Sequence, residues 1–110
     1  MIINTTKITV RPENRKELYQ TILPLLDPIR CEKGCLSYRC YVDTADENST
    51  LLMGEWETRA DLDNHLRSND FAILVGAINV LGGPESIESH LMATIAGRLN
   101  LVTRVEAPFA

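Results

Sequence analysis

The sequence has little of what marks several common classes of protein. Its 11 basic residues are scattered along 110 positions and are outnumbered by 15 acidic ones, so no basic stripe could track a phosphate backbone. No apolar run is long enough to span a membrane, and the first residues lack the basic and apolar segments of a secretory signal. We therefore expect a cytoplasmic protein that binds neither nucleic acid nor a membrane.

The sequence is also poor in the residue patterns that hold cofactors. Its three cysteines, Cys31, Cys35 and Cys40, are an odd number, which argues against a disulfide framework. Their spacing differs from that of common zinc sites, and only two histidines could complete one. There is no glycine-rich phosphate loop, no Ser-His-Asp constellation and no flavin fingerprint. The sequence therefore predicts no resident metal, flavin or other cofactor.

What remains is the composition of an ordinary globular domain, with 45% apolar and 24% charged residues, and we expect one domain over residues 1–110. Apolar residues at helical spacing follow Pro12 and predict a first helix, which we expect to kink near Pro24 and to end soon after it. Alternation of apolar and polar residues predicts four strands, near residues 2–10, 35–43, 51–57 and 86–95.

Two more helices are predicted between the third and fourth strands. Thr58 can cap a short helix that runs to about residue 67, with Asp61 in the capping position. Ser68 can cap a second helix, in which residues 72–81 carry no charge. Because a helix that is apolar on nearly every side must be covered, we expect a ligand pocket or another subunit to cover part of it. The segment 97–106 fits a short terminal helix or a strand, and we favour the helix.

The resulting order, β-α-β-β-α-β, is that of a ferredoxin-like α+β fold, with an antiparallel sheet and helices on one face. Strand alternation places Leu36, Tyr38, Cys40 and Val42 on one face of the second strand. The opposite face of the sheet still carries apolar residues and needs a cover. Two sheets packed face to face would supply it, so we expect a homodimer that forms a dimeric α+β barrel.

Two strings of residues resemble the antibiotic-biosynthesis-monooxygenase (ABM) family, and the resemblance covers roughly residues 2–94. E-K-G-C-L-S-Y, which begins at Glu32, looks like the start of that family's second strand. E-W-E around Trp56, followed by H-L-R-S from His65 and then by Phe71, is similar to its E-W…H-L-x-S-x-x-F segment. Family members include cofactor-independent oxygenases of aromatic polyketides, quinol oxygenases, haem-degrading enzymes, isomerases and proteins without known activity.

This resemblance implies a cofactor-independent monooxygenase, an oxidoreductase acting on a phenolic, quinol or polyketide-like small molecule. Two alternatives stay open, a non-catalytic ligand-binding or regulatory dimer and a His-dependent isomerase. The haem-degrading branch uses a histidine on the later helix, and residues 71–77 contain none, which argues against haem as a substrate here.

A cofactor-free oxygenase needs a base, a donor for the developing oxyanion and an apolar aromatic slot. His65 is the candidate base, although it could instead hydrogen-bond locally near its helix end. We expect a cavity between the sheet and the helices of residues 59–81, with Trp56 and His65 near its wall. The candidate substrate-binding residues are Trp56, Asn4, Thr6, Tyr38 and Phe71. Trp56 could instead be a core anchor, and Asn4 and Thr6 could make structural hydrogen bonds.

Overall fold

Five antiparallel strands form one sheet in the computed structural model, which describes residues 1–82, 87–95 and 98–105, the last two ranges as backbone strands. The sheet order is β2-β3-β1-β4-β5. The first four strands have the ferredoxin-like order and confirm the predicted α+β fold. The elements in chain order are β1 (Ile2–Thr9), a 3-10 turn (Pro12–Asn14), α1 (Arg15–Arg30), β2 (Cys35–Val42), β3 (Ser49–Trp56), α2 (Arg59–Leu66), α3 (Asn69–Leu81), β4 (Ile87–Ile95) and β5 (Arg98–Val105).

The prediction of a terminal helix over residues 97–106 is wrong, because Arg98–Val105 is a strand that pairs antiparallel with β4. A helix would have left the outer edge of β4 without a backbone partner, whereas the alternation of Leu99, Leu101 and Thr103 suits a strand. The register shifts between Leu91 and Met92, where the last pair of strands accommodates an irregularity.

Helix α1 does not end soon after Pro24 but continues to Arg30, through both Pro24 and Pro28. Each proline removes one backbone hydrogen bond, but both prolines lie on the exposed side of the helix. The opposite side is held by a buried stripe of Leu18, Ile22, Leu26 and Ile29. Packing of this stripe against the sheet outweighs the helix-breaking tendency of the two prolines.

A β-bulge changes which residues of β2 face the core. Cys35 pairs with Trp56 and Ser37 pairs with Glu55, so Leu36 is an extra residue with no partner position on β3. The expectation that Leu36 shares a face with Tyr38 is therefore wrong, and its side chain is 56% exposed. Cys35 takes the inward position instead.

The two later helices begin as predicted. The backbone N–H of Asp61 donates to Thr58 Oγ1 over 3.1 Å, and that of Phe71 donates to Ser68 Oγ over 3.2 Å. The predicted buried stripe of α3 is confirmed and consists of Phe71, Leu74, Val75 and Ile78. The other side of α3 exposes Ile73 and Val80. None of the helices within the described parts of the chain is long and apolar enough to cross a membrane.

Candidate functional site

Helix α2 presents an imidazole to the protein interior. Asp61 and His65 are four residues apart and therefore lie on one face of the helix, and both are buried together with Leu62. Asp61 is held by the helix cap, where the Thr58 hydroxyl donates to its Oδ2 over 2.9 Å. The next turn of the same face then carries His65 inward.

The turn between α1 and β2 is anchored on the start of α2. Gly34 has a φ of 79°, in the left-handed region that favours glycine, and a Cβ at this position would overlap the Asp61 carboxylate. The carbonyl of Gly34 also accepts a hydrogen bond from the backbone N–H of Glu57 over 2.8 Å. Because the turn is fixed in this way, Glu32, two residues earlier, lies against the next turn of α2.

Glu32 and His65 form a hydrogen-bonded pair. His65 Nδ1 lies 3.0 Å from Glu32 Oε1 and 3.3 Å from Oε2, across 33 residues of sequence. The His65 side chain has 0% exposure, whereas that of Glu32 is 20% exposed. The side-chain partner of His65 is therefore a distant carboxylate and not a local group of its own helix.

Three aromatic rings surround the imidazole. The Trp56 ring stacks on it with a centroid separation of 4.6 Å and an interplanar angle of 26°. The rings of Tyr38 and Phe71 meet it edge-on, at 5.5 Å and 5.1 Å. We call these four residues and Glu32 the His65 cluster.

Two buried nitrogens of the cluster, Trp56 Nε1 and His65 Nε2, have no hydrogen-bond partner among the described residues. Such an unpaired buried group costs about 1–3 kcal/mol, so it is rare in a region that serves packing alone. Gly54 makes room for the rings, since a Cβ there would lie 2.6 Å from Trp56 Nε1 and 3.0 Å from Tyr38 Cδ2. Indole can only donate, and a neutral imidazole with its proton on Nδ1 accepts at Nε2.

Burial moves the two pKa values of the pair in opposite directions. It lowers the pKa of His65 from 6.5 to about 4. Burial, followed by the charge of Asp70, raises the pKa of Glu32 from 4.5 to about 7. His65 is therefore neutral at pH 7, and Glu32 keeps its proton to a higher pH than an ordinary carboxyl group. Burial also raises the pKa of the Tyr38 phenol, which stays protonated.

The polar candidates on β1 lie beside the cluster. Asn4 and Thr6 are both buried. Asn4 and Tyr38 each pair with Gly54, so the three form one row across the strands, adjacent to the row that holds Trp56. Thr6 pairs with Leu52, one row further away, and has an interaction partner within the protein. The structure therefore gathers Tyr38, Trp56, His65 and Phe71, places Asn4 next to them and leaves Thr6 more distant.

A cavity of about 470 Å³ lies at the junction of α2 and α3. Phe71 and Val75 line it, but His65, Trp56 and the other described residues of the strands do not, so it is not the cavity expected between the sheet and the helices. Phe71 contacts the imidazole and also lines the cavity, so it stands between the cavity and the site. The buried Oδ1 of Asn79, another lining residue, has no partner among the described residues. The wall of the cavity is made by Leu66, Arg67, Ser68, Phe71, Ala72, Val75, Gly76 and Asn79.

Glu32 is the residue of the cluster that the sequence reasoning missed. Periodicity assigns a direction to side chains in strands and helices but not to a side chain in a turn. The available signal was its place as the first residue of E-K-G-C-L-S-Y, two positions before the glycine that sets the turn.

The antiparallel sheet and its helices define an α+β protein of ferredoxin-like type, which encloses a stacked histidine–tryptophan pair. The family model for antibiotic biosynthesis monooxygenase matches residues 1–75, so the chain belongs to that family, as the sequence resemblance predicted.

Known relatives agree in sequence and in fold. The uncharacterized protein sll1783 of Synechocystis sp. is 31% identical over 93 residues, which cover 84% of this chain and 63% of that protein. The chain therefore spans less than two thirds of that relative. YcnE of Bacillus subtilis (strain 168) is 27% identical over 71 residues, covering 64% of this chain and 75% of YcnE. A crystal structure of an antibiotic biosynthesis monooxygenase matches with a TM-score of 0.78 and 27% identity, covering 86% of this chain and 99% of the other.

Proposed function

We propose that the protein is a cofactor-independent monooxygenase that acts on a phenolic, quinol or polyketide-like small molecule. The observation that carries the proposal is the buried imidazole of His65, which bonds a carboxylate through Nδ1 and keeps Nε2 unpaired beside the Trp56 indole. This is the arrangement of a general base, in which Nε2 can accept a proton from a ligand. Membership of the monooxygenase family supports the same reaction class.

The chemistry can be written for an activated CH2 group between aromatic rings. His65 Nε2 takes one of its protons, and the resulting anion passes one electron to O2. The carbon radical and superoxide then combine to form a C–O bond. Cleavage of the O–O bond, with loss of the second hydrogen of the carbon, gives a carbonyl group and water. The substrate supplies all four electrons that reduce O2, so no other reductant is needed.

The substrate would bind in the cavity beside Phe71. Its volume of about 470 Å³ falls within the range of small-molecule sites, ~300–1,000 Å³. Because the His65 and Trp56 side chains are fully buried, the Phe71 ring has to swing aside before a substrate atom can reach Nε2. Trp56 Nε1 could then donate to the oxyanion that develops on the substrate.

One observation favours the second candidate, a non-catalytic ligand-binding or regulatory dimer. The rings of Tyr38, Trp56 and Phe71 fill the space around His65, as they would in a protein that uses these residues for packing. A His-dependent isomerase would use the same base but would consume no O2.

Oxygen uptake against a panel of quinols and anthrones separates the three. We expect O2 consumption by the wild type, strongly reduced uptake by His65→Ala, and wild-type uptake by Asn64→Ala, an exposed neighbour on the same helix. Substrate conversion without O2 uptake would indicate an isomerase. Tight binding of a panel compound without turnover would indicate a binding protein.

We also propose that the protein is a cytoplasmic homodimer whose subunits meet through the sheet face away from the helices. Tyr41 and Leu51 line a cavity of about 330 Å³ on that face, and Tyr41 is 43% exposed. A second copy of this face would bury those side chains. Light scattering should show a dimer for the wild type and for Leu23→Glu, which alters an exposed residue of α1, but a monomer for Tyr41→Glu. A monomeric wild type at micromolar concentration would contradict this arrangement.

A further inference from the structure

We propose that Glu32 and His65 act as a proton relay, in which His65 Nε2 receives the substrate proton while Nδ1 passes its own proton to the Glu32 carboxylate. The relay rests on the proposed function, since the proton comes from the substrate. His65 is the catalytic residue of the pair, and Glu32 is a positioning residue that acts through it.

The geometry supports a relay with His65 starting in one tautomer. An Nδ1–H bond to Glu32 at 3.0 Å leaves the lone pair on Nε2, the buried atom without a described partner. When Nε2 gains a proton and Nδ1 gives one up, the imidazole ends as the other neutral tautomer. One proton has entered the ring and one has left it, so the pair balances without a cation at His65.

A neutral imidazole matters because this ring has no exposure to water. Enclosed by Trp56, Tyr38 and Phe71, an imidazolium would lose its hydration and would depend on the Glu32 carboxylate as its counter-charge. The low pKa of His65, about 4, expresses the same cost. A base that can hold a proton only briefly needs a second group to take it, and the carboxylate at Nδ1 is placed to do so.

Glu32 is the member of the pair that reaches solvent. Its side chain is 20% exposed, so it can release the received proton to water while His65 stays sealed. Its backbone is fixed in the turn, where its carbonyl accepts from the Cys35 N–H over 3.1 Å and its own N–H donates to Ile29 over 3.0 Å. The carboxylate therefore connects the buried base to the outside of the protein.

The groups that influence the charge of Glu32 come from each element around it. Asp70, at the start of α3, acts with burial to raise the pKa of Glu32 to about 7. Cys35 and Tyr38 of β2 have raised pKa values, each due first to burial and then to the Glu32 charge, so both stay neutral. With His65 of α2 also neutral, the charge of Asp70 acts after burial, the larger cause, in raising the proton affinity of Glu32. A pKa near 7 suits a group that must both accept and release a proton at neutral pH.

Three variants test the relay. Glu32→Gln keeps an acceptor for Nδ1–H but cannot take the proton, so kcat should fall roughly 10²-fold. Glu57→Gln, which changes an exposed glutamate after β3, should leave kcat unchanged. Asp70→Asn should keep activity but move the rise of kcat with pH to lower pH, because Glu32 would lose its proton more easily. A merely structural role for Glu32 would not produce that shift.

Nitrogen NMR of His65 and carboxyl NMR of Glu32 test the same idea without turnover. We expect the Nδ1–H tautomer at pH 7 and a Glu32 titration near pH 7 that moves down in Asp70→Asn. An Nε2–H tautomer of His65 would overturn the relay even in an active oxygenase. So would a Glu32 carboxyl that titrates near pH 4.5 in both the wild type and Asp70→Asn. If the NMR results agree but no panel compound consumes O2, the oxygenase proposal fails while the proton-transfer pair stands.

Discussion

The sheet face that the helices cover is equally buried at its two ends, but the ends differ in the hydrogen bonding of their buried polar side chains. At one end, Ile8 and Leu52 pack with α1, and the buried Thr50 hydroxyl lies 3.3 Å from its partner, the Tyr19 hydroxyl. At the other end, Trp56 Nε1 and His65 Nε2 are buried without a described partner. The first end also buries one unpaired atom, Asn48 Oδ1, but the second holds two unpaired nitrogens on stacked rings. The first end therefore has the properties of a structural core, and the second those of a ligand site that tolerates a stability cost.

We expect the largest effect on stability from a substitution that removes buried apolar atoms at the structural end. Leu18 of α1 is fully buried there, so Leu18→Ala should lower the free energy of unfolding by about 2–5 kcal/mol. Urea unfolding measures this change. The matched control, Leu23→Ala on the exposed side of the same helix, should stay within about 0.5 kcal/mol. A change in KM for Leu18→Ala would contradict the division of this face into a structural end and a ligand-binding end.

The next effect is on turnover at the other end. His65→Ala should lower kcat roughly 10²-fold or more, the scale of losing a general base. Its unfolding free energy should fall less than that of Leu18→Ala, because the variant also removes one unpaired buried nitrogen. Trp56→Phe should instead mainly raise KM. Steady-state kinetics beside urea unfolding separates the two quantities, and unchanged kcat in His65→Ala would remove the site assignment.

Two glycines sharpen the comparison with substitutions of opposite sign. Gly54→Ala places a methyl group 2.6 Å from Trp56 Nε1 and should destabilise the protein by about 1–3 kcal/mol through displacement of the indole. Gly76→Ala meets nothing within 4 Å in the middle of α3 and should stabilise it by about 1 kcal/mol. Thermal unfolding compares both with the wild type. Equal stability for Gly54→Ala would mean that the Trp56 ring is loosely held.

The smallest effect is in the pH dependence of stability. The pKa of Glu32 is raised to about 7, so its contribution is complete below pH 4.5 and is lost as the pH rises to 7. The pKa of His65 is lowered to about 4, so its contribution is present above pH 6.5 and is lost as the pH falls to about 4. The two slopes oppose each other between pH 4.5 and 6.5.

Single variants should uncover these opposed slopes. Relative to the wild type, His65→Leu should lose stability as the pH rises through that window, while Glu32→Gln should gain it. Urea midpoints measured from pH 4 to 7 provide the test. Parallel curves for all three proteins would show that neither group titrates differently in the folded state.

The sequence predicted those parts of the fold that follow from a regular period. Alternation located β1 to β4, and the caps Thr58 and Ser68 located α2 and α3. The errors fall where packing overrides a local rule. Pro24 did not end α1, because its buried stripe continued, and residues 98–105 became a strand because β4 offered an edge.

The candidate site could be predicted only in part, for a related reason. His65, Trp56 and Phe71 could be chosen from residue chemistry and family resemblance, and they do meet. Glu32 could not, since it reaches His65 only when Gly34 folds the turn against Asp61, a contact between segments that no period records. The β-bulge at Leu36 could not be predicted either, because alternation assumes that each residue of β2 pairs with one residue of β3.

The β-bulge at Leu36 sets the length of chain between two residues that are held in place, Gly34 and Tyr38. On one side Gly34 is tied to Glu57, and on the other Tyr38 is sealed under the helices. The unmatched Leu36 supplies the extra length, about 3.3 Å, that lets both attachments hold at once. A chain shorter by this one residue could keep the same sheet, yet its turn would be drawn toward β3 and its carboxylate away from the imidazole. Related chains could therefore share this fold and differ in chemistry through a single insertion or deletion, with every aromatic residue of the site unchanged.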